Sequence, residues 1–267
     1  MPNGRIEINF DNILDVATRG VRRATVFMGL GVNAALDTEF TNYQLTHLTN
    51  IQLVPNVAPE AVSHFKDEFK VWIEANGLTE LVETFSSFLD SLHHACLVIK
   101  KSKENLSPEQ LQEQDKNFEQ QGFPNKLNIL ASSFSSGPKH IEYLKSLNKA
   151  RNCFTHRRGI VGPEDVAAGK SLSAVWLGMD LFAETPTGEK HMLNEIREGG
   201  LHLPEGGTVK VHMVERERVF SVGTPLKFST RDLAEICWFF DQEARSAVAS
   251  AVEFAKKAGV TVNEKAI

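Results

Sequence analysis

Apolar positions recur at helical spacing along most of the first 160 residues. In "FDNILDVATRGVRRATVFMGLGVNAAL" they are interrupted by Gly29 and Gly31. "APEAVSHFKDEFKVWIEANG" opens on Pro59, suited to a first helical position, and reads as stopping at Asn76-Gly77. In "LTELVETFSSFLDSLHHACLVIKK", Leu81, Phe85, Phe88, Leu92, Cys96 and Ile99 trace one face. "LSPEQLQEQDKNFEQQG" starts with Ser107 and Gln110 in capping-box spacing and carries only Leu111 and Phe118 as large apolar residues, which predicts a surface helix. After Gly137-Pro138, "KHIEYLKSLNKARNCFTHRRG" lines up Tyr143, Leu144, Leu147, Ala150 and Phe154.

The period then changes from helical to alternating. Val175, Leu177, Met179, Leu181 and Ala183 alternate before a turn at Pro186 to Gly188, and Val209, Val211 and Met213 alternate again, as antiparallel strands do. From Ser229-Thr230 a long helical pattern runs to Gly259. The expected fold is mainly α. A helical bundle spans 10–158, a β-rich segment over 160–228 forms a small inserted antiparallel sheet, and a closing helix over 229–258 rejoins the bundle.

Composition narrows the function classes. Of 267 residues, 42% are hydrophobic, enough for a sizeable core. A net charge of -5 argues against a generally basic nucleic-acid coat, while leaving room for a local basic patch. The three cysteines, Cys96, Cys153 and Cys237, form no CxxC pair, so neither a disulfide framework nor a cysteine zinc site is indicated. With no membrane-length apolar run and no signal-peptide core in "MPNGRIEINF", the expected setting is the cytoplasm, with no membrane partner.

The chemistry concentrates in "KARNCFTH", residues 149–156. At 100° per residue Arg151 lies about 40° from Leu147, on or beside the buried stripe, where an unpaired charge is costly. His156 falls on roughly the opposite side, in line with Asn152. An arginine followed five positions later by a histidine is expected roughly 0.4 times from composition. It occurs twice, at Arg151/His156 and at Arg197/His202 in a glycine-rich turn that reads as chance. Requiring asparagine directly after the arginine lowers the expectation to about 0.02 and leaves Arg151 alone.

"R-N-C-F-T-H" resembles the R-N-x-x-x-H signature of HEPN domains, small helical bundles common in prokaryotic toxins and defence proteins. The resemblance covers this motif and its helical neighbourhood. It implies a metal-independent endoribonuclease working as a homodimer with the motif in the cleft between subunits, no cofactor, RNA as substrate, and an antitoxin or defence-system partner. Carried onto this chain, the catalytic residues are Arg151, Asn152 and His156. One toxin subgroup has a tyrosine two positions after the histidine; here that position is Arg158, so its regulation by nucleotidyl transfer is not expected.

The residue types suit that reaction. Cleavage by the 2′-hydroxyl needs a proton carrier, for which histidine is suited because its charge changes near neutral pH. It also needs a cation on the phosphorane oxygens, matched by the arginine fork. Asn152 is placed to orient the histidine or bond the phosphate. Arg157, Arg158 and Thr155 are the candidate substrate-binding residues. The alternative is a HEPN-like RNA-binding, nucleotide-binding or scaffold protein that does not cut.

Structural explanations stand beside these. Arg151 has an alternative use in pairing with an acid on another helix, and His156, Arg157 and Arg158 favour a helix C-terminus through its dipole. His93-His94 reads as a helical pair, since no third metal ligand is spaced to join it. Trp72, Trp176 and Trp238 are expected in the core, and "ERER" at 215–218 on a solvated strand or turn. Gly29 and Gly31 lack the strand and lysine of a phosphate loop.

Overall fold

The computed structural model describes residues 7–40, 58–101, 107–166, 170–193 and 202–262. The turn containing Arg197 lies outside them. Among the described residues six α-helices run α1 (Phe10–Leu36), α2 (Val62–Lys101), α3 (Pro108–Glu119), α4 (Phe123–Phe134), α5 (Ile141–Arg157) and α6 (Thr230–Lys257). Between α5 and α6 lie strands β1 (Ser171–Glu184), β2 (Lys190–Met192) and β3 (Thr208–Ser221), in one antiparallel sheet of order β2-β1-β3. The mainly α fold with a small antiparallel sheet before the last helix is thus as expected.

Local sequence explains most helix ends. Asn9 caps α1 by accepting from the Asn12 amide. Ser107/Gln110 and Ser229/Asp232 form reciprocal capping boxes on α3 and α6. The N-terminus of α5 is satisfied from a distance. Glu243 of α6 accepts from the His140 amide and bonds the His140 ring, each at 2.7 Å. α5 ends on Arg158 and Gly159, both in the left-handed region, with the Gly159 amide on the Cys153 carbonyl.

The expected stop at Asn76-Gly77 is absent: α2 runs unbroken for 40 residues. Gly77 serves packing between helices. A Cβ there would lie 2.1 Å from the Met28 sulfur, and at Gly20 and Gly31 one would collide with Thr84 and Ile73. α1 and α2 therefore approach closely through glycines, at a cost in helix propensity of about 1 kcal/mol each. α4 has no counterpart in the hydrophobic pattern read above.

One hydrophobic core includes Leu81, Phe85 and Leu92 of α2, Leu147 of α5 and Phe239 and Phe240 of α6, together with Leu172, Ala174 and Trp176 of β1. The sheet shares this core with the bundle. Its packed face is Leu172, Ala174, Trp176 and Gly178, with Arg216, Arg218 and Phe220 opposite on β3. Most of the alternating set read from the sequence lies outside the common core: Ala183 is buried but not part of it, and Leu177 packs against it only half-buried. Leu181, Val209, Val211 and Met213 lie on the outward face and are exposed.

Candidate active site

The last turns of α5 hold the motif. Leu144, Leu147, Ala150 and Phe154 are buried, which fixes the rotation of the helix. Arg151 is then half-buried, its side chain 20% exposed, facing α2. Its Nη1 donates to the Asn152 Oδ1 at 3.1 Å. Glu83 lies 3.9 Å from Nη2 but is itself 66% exposed, so this contact adds little stability. The Arg151 Nε is buried without a hydrogen-bond partner. An ion pair to another helix therefore exists only in weak form, and part of the guanidinium is unsatisfied.

Asn152 is half-buried and oriented by Arg151; Thr155 is exposed and donates to the Arg151 carbonyl at 3.0 Å. His156 is exposed. Arg151 and His156 are about 140° apart around the helix, as five residues require. Within one chain they point to different sides.

The flanking arginines separate in character. Arg157 donates from Nε to the Asp165 Oδ2 at 2.6 Å, from Nη2 to Oδ1, and from Nη1 to Glu164 at 3.0 Å. Its charge is compensated inside the chain. Asp165 also accepts from the Gly162 amide. Burial opposes the charge on Asp165, but the Arg157 bonds, the Gly162 amide and the Cys153 thiol outweigh it and hold the carboxyl below its usual range. Arg157 thus clamps the segment leaving α5. Residues 159–161 then pair with 223–226 through backbone bonds such as Leu226 N to Gly159 O at 2.7 Å. Arg158 is exposed beside this clamp.

The outer side of α2 continues the site. Phe65, Phe69 and Trp72 are exposed, with Phe69 and Trp72 stacked at 6.1 Å between centroids. Eleven residues on, Glu83 falls within about 20° of Trp72 around the helix. A Cβ on Gly159 would lie 3.9 Å from Val71, so this turn of α2 packs against the end of α5 while Trp72 takes the neighbouring outward position. Trp72 was expected in the core and is 59% exposed, because Val71 and Ile73 take the packed positions around it. Trp176 is fully buried.

A second cluster is invisible in sequence spacing. Asp115 of α3 bridges His93 and His94 of α2, with Oδ1 3.0 Å from the His93 Nδ1 and Oδ2 2.6 Å from the His94 Nδ1. The adjacent histidines were the only available signal; their carboxylate comes from another helix. Among the described residues, no group of three or more His, Cys, Asp or Glu is placed to hold a metal ion. All three cysteines are free and buried. Among the described residues no helix is long and apolar enough to cross a membrane.

No protein-family model matches the chain, nor does any curated protein or solved structure. A functional reading therefore rests on the geometry and on the motif.

Proposed function

We propose that the chain is a HEPN-like, metal-independent endoribonuclease of the toxin or defence type, acting as a homodimer. The observation that carries the reading is the state of Arg151. It is held half-buried on a rigid helix and steadied by Asn152, with a buried, unpartnered Nε and no strong internal counter-ion. A buried donor left unsatisfied costs about 1–3 kcal/mol, and a phosphate oxygen would satisfy it.

In the reaction, the RNA 2′-oxygen bonds to the adjacent phosphorus and the 5′-oxygen leaves with the electron pair. His156 takes the 2′-hydroxyl proton or returns one to the leaving oxygen. Arg151 balances the phosphorane charge. Arg158 and Thr155, both exposed, add affinity for the RNA backbone; Arg157 supports the site from its clamp on Asp165. Arg151 and His156 point to different sides of one helix, so their cooperation calls for a second subunit. The exposed Phe65, Phe69 and Trp72 stripe supplies apolar contact area for it.

The same divergence of Arg151 and His156 favours a second reading, in which the chain binds RNA or a nucleotide without cutting it. Incubation with varied RNAs in excess EDTA separates the two. The nuclease reading expects products ending in 2′,3′-cyclic phosphate and 5′-hydroxyl, and none from His156→Ala. Binding without cleavage supports the second reading. Products with 5′-phosphates, or cleavage abolished by EDTA, contradict the mechanism.

A further inference from the structure

The Asp115 bridge lies away from the α5 motif and has its own logic. α3 is weakly held. Phe118 is its only buried residue, and Leu111 is partly covered. Two contacts fasten it to α2. The Phe118 ring stacks on the His93 ring at 3.9 Å and 6° between planes, and Asp115 takes both histidine Nδ1 atoms. His93 is 5% exposed, whereas the neighbouring His94 is largely exposed. Behind the stack, Phe134 of α4 meets His93 edge-on, and Phe254 of α6 meets Phe134.

The charges facing this seat come from three helices. α2 supplies His94 and Asp90, α3 supplies Asp115 and Glu119, and α4 supplies Lys126. Lys126 is buried, bonds Asp90 at 2.8 Å and Ser86 at 3.0 Å, and lies 5.7 Å from the Phe118 ring centre. A proton on His93 would thus place a second cation near the buried Lys126 in a seat almost closed to water, so burial and the lysine oppose it while Asp115 favours it. Asp115 is the one carboxylate bonded to His93, and it is shared with His94. A cleft of about 570 Å³ runs alongside, lined in part by Glu7, Asp90, His94, Asp115 and Glu119, so that α3 has open space to move into.

We propose that α3 is a proton-released clasp: protonation of His93 frees α3 from α2 and uncovers the aromatic seat formed with Phe134. Burial, ahead of the opposing pull of Asp115, lowers the His93 pKa below its ordinary value. The sign follows. His93 contributes fully to docking above the ordinary imidazole value of about 6.5, and that contribution is lost as pH falls through the lower value of the docked state. α3 becomes the element that opens first on acidification, while α6, in the middle of the core, stays closed.

Hydrogen exchange followed by mass spectrometry on the full chain at pH 7.5 and 5.0, corrected for intrinsic rates, tests this. The expected result is a loss of protection of about tenfold at residues 111–119, with α6 unchanged. His93→Phe keeps a ring on Phe118 but cannot take a proton, and His93→Gln keeps a donor for Asp115; either should remove the pH dependence. His94→Gln should retain it. Protection of α3 that is unchanged or higher at pH 5.0 overturns the proposal. So does a loss shared equally by α6, or a loss that persists in both His93 variants.

Discussion

Arginines are used in opposite ways at the end of α5 and at the seam between the sheet and α6. At the seam, Arg216 donates to Asp180 at 2.6 Å and to Glu235 at 3.2 Å, Arg231 bonds the same two carboxylates, and Arg218 takes Asp232 with both oxygens. Trp176 adds its ring N–H to Glu235 at 3.2 Å. Each charge that is drawn under the sheet has a partner, and Gly178 leaves the room Glu235 needs. At the end of α5, Arg151 has an asparagine, a distant exposed glutamate and an unpartnered Nε. The first arrangement is what holding a fold requires. The second leaves a buried donor open, as the proposed phosphate-binding role needs.

The contrast breaks first at the seam as a whole. Replacing residues 171–228 by a short linker should unfold the protein, because Leu172, Trp176, Phe220 and Phe228 belong to the common core. A cooperative melt retained by the deleted chain would show the sheet to be separable. Next comes Arg216→Ala, which takes one of two arginines from Glu235 and Asp180 and leaves both carboxylates to Arg231. Urea unfolding should register a loss of about 2 kcal/mol.

A smaller effect is expected at Glu74. This carboxyl is buried, with Lys70 3.7 Å away, and burial raises its pKa to about 7. A raised carboxyl pKa means the folded state holds the proton more tightly than the unfolded one. Stability from this group is therefore greatest below about pH 4.5 and falls as pH rises toward 7. Glu74→Gln should stabilise the protein at pH 8 by on the order of 1–3 kcal/mol and change little at pH 4.5. Thermal melts at both values check this; equal shifts at the two would refute it. Smallest of all should be Arg158→Ala, which removes an exposed charge in the left-handed cap. Its unfolding free energy should stay within about 0.5 kcal/mol of wild type, while RNA affinity drops at low salt.

What the sequence made legible follows from how local each cause is. α3, α5 and α6 were readable because capping boxes and apolar periods lie within a few residues of one another. The full length of α2 was not, because Gly77 has the signature of a helix end and is used for contact with Met28 of α1. The face of the sheet was misleading for a similar reason. Its packed side mixes Gly178, Ala174 and paired arginines, so the outward side carries the stronger apolar alternation. At the site, the half-burial of Arg151 was legible from its angle to Leu147. The Arg157 clamp on Asp165 and the Asp115 bridge to His93 and His94 were not, since their partners meet only after folding.

Under the proposed function Arg151 is kept for a phosphate and not for the fold. Arg151→Ala, with urea unfolding and RNA cleavage measured on the same preparation, tests it most directly. Stability should stay within about 1 kcal/mol of wild type, because the residue lost has no strong partner, while cleavage should fall at least about a hundredfold. A loss of several kcal/mol with cleavage intact would contradict it and make Arg151 one more structural arginine.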